Sequence, residues 1–320
     1  METAKLRVVV TDQVFPDVDL ERGLLAEIGA EVAVADGPLE HVLTVARDAD
    51  ALLNTYLPLD AAAIAELEQC RVIARYGIGV DNVDLVAASE RGIVVTNVPD
   101  YCVEEVATHA LAMILALVRR LPDGDRDVRA GGWGIANLRP IRRLSELTVG
   151  LIGLGRIGRE LARRLAPLGV RIVAHDPYVA NADGIELVDI DDLLARSDFI
   201  SLHSPLTDET RGMIDGRALT RMKADAVLVN TSRGPLVVLE DLFAALRQGT
   251  IGGAALDVFE TEPPDPARLT DVPNLLVTPH AAFYSEAAVR ESQRKAATQV
   301  RKVLLGEPAE YQVNRPRSEG

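Results

Sequence analysis

Short apolar runs alternate with helically spaced segments along most of this chain. LRVVVTD, EVAVADG, ADALLNTY, RVIARYG and GIVVTNVP are strand-like, and LERGLLAEIG and LDAAAIAELEQ repeat their apolar residues at helical intervals. After Pro99, the stretch from Val103 to Leu121 is apolar on nearly every face, which predicts a buried helix lying between domains or between subunits. Residues 122–144 are rich in Gly, Arg and Pro and read as an irregular arm. A second series follows, with TVGLIGL, RIVAHD, FISLHS, AVLVNT, GAALDV and LLVTPH as its strands. An amphipathic helix over Ser285–Leu305 ends at the stop signals Gly306 and Pro308. Residues 284–320 have no strand to pair with and are expected to fold back onto the first domain. The pattern predicts an α/β protein with two doubly wound parallel-sheet domains, 1–99 plus 284–320 and 100–283.

Three turns after apolar runs carry the chemistry. AVLVNTS, GGAALDVFE and NLLVTP lead into Arg233, Glu262 and His280. Buried parallel strands read as such continuous runs, and open α/β sheets place ligands outside the carboxyl ends of their strands. A guanidinium, a carboxylate and an imidazole would then converge on one crevice. Reduction of a 2-keto acid needs such a set. Arg233 can fork onto a carboxylate, His280 can give or take a proton near neutrality, and Glu262 can orient the imidazole and favour its charged form.

A second motif, Gly153-Leu-Gly155-Arg156-Ile157-Gly158, follows the strand Thr148–Ile152 and opens a helix. Gly153 permits the tight turn, Gly155 lets the backbone approach a pyrophosphate, and Gly158 allows close helix–strand packing. Asp176 ends the next strand at about the 20-residue remove where an acid would meet an adenosine ribose. A carboxylate there repels a 2′-phosphate, so NAD is expected in preference to NADP.

Composition narrows the field. The 320 residues are 48% hydrophobic and 26% charged, and carry a formal net charge of −14. That is a globular composition, and its acidity disfavours nucleic acid and membrane surfaces as partners. The two cysteines, Cys70 and Cys102, make no disulfide framework, and no Cys/His spacing resembles a metal site. The opening METAKLRVVVTD lacks the apolar core of a signal peptide, and no apolar stretch is long enough to span a bilayer, so a cytoplasmic protein is expected.

The chain resembles the NAD-dependent D-isomer-specific 2-hydroxyacid dehydrogenases. It shares RYGIGVDNVDL, VEEVATHALAMILAL, GLGRIG, HDPY, LHSPLT, NTSRG, AALDVFETEP and TPHAAFYSE, in that order, from about Arg71 to Ser285. The resemblance implies catalytic roles for Arg233, Glu262 and His280. It implies that the backbone amides of Ile78 and Gly79 grip the substrate carboxylate, and that Thr108, His203, Thr231, Asp257 and Ala282 meet the cofactor. It further implies a Rossmann NAD-binding domain inserted in a flavodoxin-like substrate domain. A homodimer would form through the nucleotide domain, by way of the helix and arm at 101–144 that contain Trp133. PHAAFYSE and VEEVA are most similar to the branch containing the C-terminal-binding-protein corepressors. Phe283 stands where that branch carries Trp, and Tyr101-Cys102 where it carries Ala-Ser. Formate dehydrogenases carry Gln at the position of Glu262, so the acid here argues against formate.

Other residues add detail. Arg75, Asn54 and Tyr56 sit at strand ends of the first domain and are candidates to line the substrate side, Arg75 as a second cation for an anion. Tyr56, Leu57, Tyr101 and Phe283 imply a small pocket, suited to an uncharged aliphatic or aromatic side group rather than a phosphate. His109, inside an apolar helix, reads as an interface histidine. Two other functions keep the same fold: an NAD-responsive corepressor-like binding protein with little turnover, and a dehydrogenase of an inorganic oxyanion such as phosphite.

Overall fold

The computed structural model describes residues 5–182 and 184–317. Among these, two compact units divide the chain: one takes residues up to Tyr101 and from Ser285 on, the other spans Cys102–Tyr284.

The first unit carries a five-stranded sheet of β1 (Arg7–Val10), β2 (Glu31–Val34), β3 (Ala51–Asn54), β4 (Val72–Arg75) and β5 (Val94–Thr96). Their order is β2-β1-β3-β4-β5, and every pairing is parallel. This is the flavodoxin-like order. The helices α1 (Asp19–Ala26), α2 (Leu39–Ala46), α3 (Ala61–Ala65) and α4 (Leu85–Glu90) connect the strands. Aspartates start two of them. Asp60 accepts the Ala63 N–H at 2.8 Å, and Asp84 accepts those of Val86 and Ala87 at 3.0 and 2.9 Å. Apolar clusters cover both faces. One holds Val8, Val10, Leu53 and Ala74, and the other Val9, Leu52, Ile73 and Val95, as side-chain alternation along doubly covered strands requires.

The second unit opens with α5 (Val103–Val118) and α6 (Leu121–Arg129). Its seven-stranded parallel sheet contains β6 (Thr148–Ile152), β7 (Arg171–His175), β8 (Glu186–Leu187), β9 (Phe199–Leu202), β10 (Val227–Asn230), β11 (Gly253–Leu256) and β12 (Leu275–Val277). The order β12-β11-β10-β9-β6-β7-β8 is the Rossmann order with one strand added at the edge. The helices α7 (Arg156–Leu165), α8 (Ile190–Arg196), α9 (Gly216–Arg221), α10 (Leu239–Gln248) and α11 (Pro266–Leu269) complete it. A last helix, α12 (Glu286–Leu304), packs Ala296, Val300, Val303 and Leu304 into the core of the first unit.

Three expectations are corrected. The stretch 122–144 is not wholly irregular. Its start forms α6, with Pro122 in the first turn, where a missing N–H costs nothing. None of the nine residues of α6 is buried, so no apolar stripe marked it; intrahelical pairs such as Arg126–Asp123 and Arg129–Asp125 support it instead. The two-residue edge strand β8 was not foreseen. The segment after α12 does meet a strand, through an isolated antiparallel bridge between Thr96 and Gln312 and a bond from Val313 N–H to the Val95 carbonyl at 2.9 Å.

Candidate functional site

Register builds the site of the second unit. Ile152 pairs with Leu202, Leu202 with Asn230, Asn230 with Leu256, and Leu256 with Val277. The next residue on each strand therefore emerges along one carboxyl edge: Gly153, His203, Thr231, Asp257 and Thr278. The order reverses between β6 and β9, the switch point where open α/β sheets bind ligands.

The glycine turn occupies that switch point. Gly153 has φ +97°, and a Cβ there would lie 2.7 Å from the His203 carbonyl carbon. At Gly158 a Cβ would meet the Gly153 carbonyl oxygen at 2.3 Å, which is the close helix–strand packing the spacing implied. A Cβ built on Gly155 would meet nothing within 4 Å, so that side of its backbone is open to a ligand at the N-terminus of the ten-residue α7. Arg156 and Ile157 form the first turn of that helix. The Asp176 carboxylate reaches back to the turn and accepts the Leu154 N–H at 2.8 Å and the Tyr178 N–H at 2.9 Å. His203 lies under the turn, its Nε2 2.9 Å from Ser201 Oγ, and burial pushes the imidazole down to about 4, so the ring is neutral. Its Nδ1 and the Thr231 hydroxyl are buried with no hydrogen-bond partner among the described residues. Such orphaned polar atoms suit a polar ligand along this edge.

The charged trio stands further along the edge. Asn230 shapes the turn after β10, donating to the Arg233 carbonyl at 2.8 Å and accepting the Ser232 N–H at 3.0 Å. Gly234 follows, where a Cβ would fall 2.0 Å from the Phe259 carbonyl carbon. Only glycine lets the β10 and β11 loops approach this closely, and the approach brings Arg233 alongside Glu262. His280 Nδ1 lies 2.6 Å from Glu262 Oε2, and Glu262 Oε1 accepts the Phe259 N–H at 2.9 Å. Desolvation, the largest single influence, pushes the Glu262 carboxyl up. The hydrogen bonds from His280 and Phe259 and the charges of His280 and Arg233 together outweigh it and hold the group below its usual range. Phe283 meets the imidazole edge-on, with ring centroids 6.2 Å apart.

Sequence reasoning missed how the His280 turn is held. His280 has φ +51°, a conformation that costs a non-glycine residue of order 1–3 kcal/mol. Asp257, 1% exposed, secures it. The Asp257 carbonyl accepts the His280 N–H at 2.8 Å. Its carboxylate accepts the Ala281 and Ala282 N–H groups at 2.9 Å each and the Thr278 hydroxyl at 2.5 Å. The signal was present in the sequence, an aspartate and a threonine at level strand ends, but only the register pairs them. Thr108 is exposed on α5.

The first unit holds the remaining candidates at the carboxyl ends of β3 and β4. Arg75 is buried and donates through Nε to Asn82 Oδ1 at 2.6 Å, and Asn82 donates to Asn54 Oδ1 at 2.9 Å. Half-exposed Tyr56 sits on a loop pinned by Asp12, which accepts the N–H groups of Thr55, Tyr56 and Leu57. Ile78 and Gly79 are partly exposed in the turn after β4, where Asn97 donates to the Ile78 carbonyl at 2.7 Å.

Residues 111–282, more than half of the chain, match the family model described as the NAD-binding domain of D-isomer specific 2-hydroxyacid dehydrogenases. The chain belongs to that family. It is 39% identical over 318 residues to a D-3-phosphoglycerate dehydrogenase of Methanocaldococcus jannaschii, a match covering 97% of this chain and 60% of that protein. It is 41% identical over 270 residues to a glyoxylate reductase of Korarchaeum cryptofilum, covering 81% of this chain and 80% of the other. A D-lactate dehydrogenase from Aquifex aeolicus, solved with NAD and lactic acid, matches with a TM-score of 0.85 at 27% identity, over 94% of this chain and 96% of that one. The chain spans 53% to 60% of the length of phosphoglycerate dehydrogenases such as those of M. jannaschii and Synechocystis. Among the described residues of this family member, no helix is long and apolar enough to cross a membrane, and no group of His, Cys, Asp and Glu could hold a metal ion.

Proposed function

We propose that this dehydrogenase interconverts a 2-keto acid and a D-2-hydroxy acid with NAD(H). The observation that carries this reading is the 2.6 Å pair of His280 and Glu262, with Arg233 beside it, on the same sheet edge as the glycine turn. When bound, NAD would supply or accept the hydride. The α7 N-terminus and the open Gly155 backbone hold the pyrophosphate, and Asp176 the adenosine ribose, where its charge favours NAD over NADP. The Arg233 guanidinium orients the carboxylate and polarises the carbonyl. His280 donates Nδ1–H to Glu262, so Nε2 is the nitrogen that protonates the carbonyl oxygen in reduction and takes the hydroxyl proton in oxidation. Ile78, Gly79 and Arg75 are proposed to hold the substrate's carboxylate.

The side group is read as uncharged, because Phe283, edge-on to the imidazole, offers it neutral surface. NADH consumption against glyoxylate, pyruvate, hydroxypyruvate, longer 2-keto acids and phosphohydroxypyruvate tests both parts. Turnover with a neutral 2-keto acid is expected. No turnover with any of the panel overturns the activity, and strong preference for the phosphorylated acid overturns the side-group reading alone.

A further inference from the structure

His109 lies midway along α5 with its Nε2 3.0 Å from Thr278 Oγ1. The direction of that bond follows from the next one. Thr278 Oγ1 is 2.5 Å from Asp257 Oδ1, and an ionised carboxylate only accepts, so the threonine proton points at Asp257. The hydroxyl oxygen then accepts from His109, and Nε2 is the nitrogen that carries a proton. The same Asp257 carboxylate holds the two N–H groups that follow His280. A hydrogen-bonded chain thus runs from α5, through Thr278 and Asp257, to the strained turn bearing His280.

We propose that His109 is a positioning residue for His280. It acts through the Thr278 hydroxyl, which fixes the carboxylate plane of Asp257 and with it the left-handed backbone that aims the imidazole. This rests on the reading of His280 as the proton-transfer group. The helix provides a firm base, since Ala107, Ala110, Met113 and Ile114 are buried on the core side of α5. A histidine serving only to fill space would not need its donor aligned on a hydroxyl that already gives its own proton away. Here the donated bond removes the rotational freedom the threonine and the carboxylate would otherwise keep, and charge-assisted chains of this kind polarise one another.

Two variants of the full chain test the proposal. His109→Leu removes the donor, whereas His109→Gln can restore it through an amide N–H. His109→Leu is expected to lower kcat for 2-keto acid reduction about tenfold, the effect of one lost bond of this type. KM for NADH and Tm should stay near wild type, and amide exchange at Ala281 and Ala282 should quicken by a similar factor. His109→Gln should recover most of each. A leucine variant with unaltered kcat and unaltered exchange overturns the proposal. So does a glutamine variant no better than leucine, because packing would then be the whole role. The exchange measurement needs no turnover, so it judges His109 even if the proposed activity fails.

Discussion

Glu262 holds His280 with one carboxylate oxygen, at 2.6 Å, and the Phe259 N–H with the other, at 2.9 Å. The backbone bond fixes the carboxylate, and the carboxylate fixes the tautomer and tilt of the imidazole. Replacing Glu262 by Gln keeps the shape but removes the charge beside the ring and one acceptor of the pair that orients it. kcat/KM for 2-keto acid reduction should fall about tenfold. An unchanged kcat/KM would show that the charge plays no part.

Stability should report the same carboxyl. Its folded-state value lies below the ordinary one, so its ionised form stabilises the fold above the unfolded value and that contribution is lost as pH falls through the folded value. The stability gap between wild type and Glu262→Gln should be present at neutral pH and shrink below about pH 4.5, the ordinary glutamate value. Urea titrations at pH 7 and pH 3.5 check it, and a gap that widens in acid contradicts it.

Glu21 presents the opposite case. It is fully buried in the first unit, accepts the Tyr76 hydroxyl at 2.8 Å and the Gln293 amide at 3.2 Å, and desolvation pushes its carboxyl up. The folded state therefore favours the proton, and stability declines as pH rises from the unfolded value through the folded one. Glu21→Gln should gain in Tm relative to wild type as pH rises from about 4.5, the ordinary glutamate value, to pH 8. A constant difference across that range would refute the assignment.

The glycine turn separates binding from folding. Gly155→Val projects a side chain into open space and should leave Tm nearly unchanged while weakening NADH binding at least about tenfold. Gly158→Ala drives a Cβ against the Gly153 carbonyl and should cost about 1–3 kcal/mol of stability. Calorimetric titration with NADH and thermal melts distinguish them. Undiminished binding by Gly155→Val would remove the pyrophosphate from this turn.

The exposed apolar residues of the arm give a prediction about assembly. Trp133 is 91% exposed and Ile135 65%, two apolar side chains two residues apart in the arm after α6. We propose that a second copy of the chain covers them. Trp133→Asp should shift the mass measured by light scattering from dimer toward monomer, and a monomeric wild type would end this reading.

Much of the fold was legible because parallel strands buried on both faces are continuous apolar runs, as in AVLVNT and LLVTPH. The meeting of Arg233, Glu262 and His280 was legible for the same reason, since each lies within a few residues of the end of such a run. α6 escaped because nothing in it is buried, and a helix held by surface ion pairs leaves no periodic stripe. The Asp257 clasp escaped for a different reason. Asp257, Thr278 and His109 are far apart in sequence, and only the strand register sets them level. The tight seat of Gly234 escaped likewise, because the Phe259 backbone it lies against belongs to the loop of another strand.

The most direct measurement is the single-turnover rate of NADH oxidation at saturating 2-keto acid, in wild type and in His280→Ala, with NADH affinity measured alongside. The account predicts a loss of at least about a hundredfold in the rate, the usual weight of a positioned proton donor, with NADH affinity held within about twofold. Equal rates in the two proteins would contradict it.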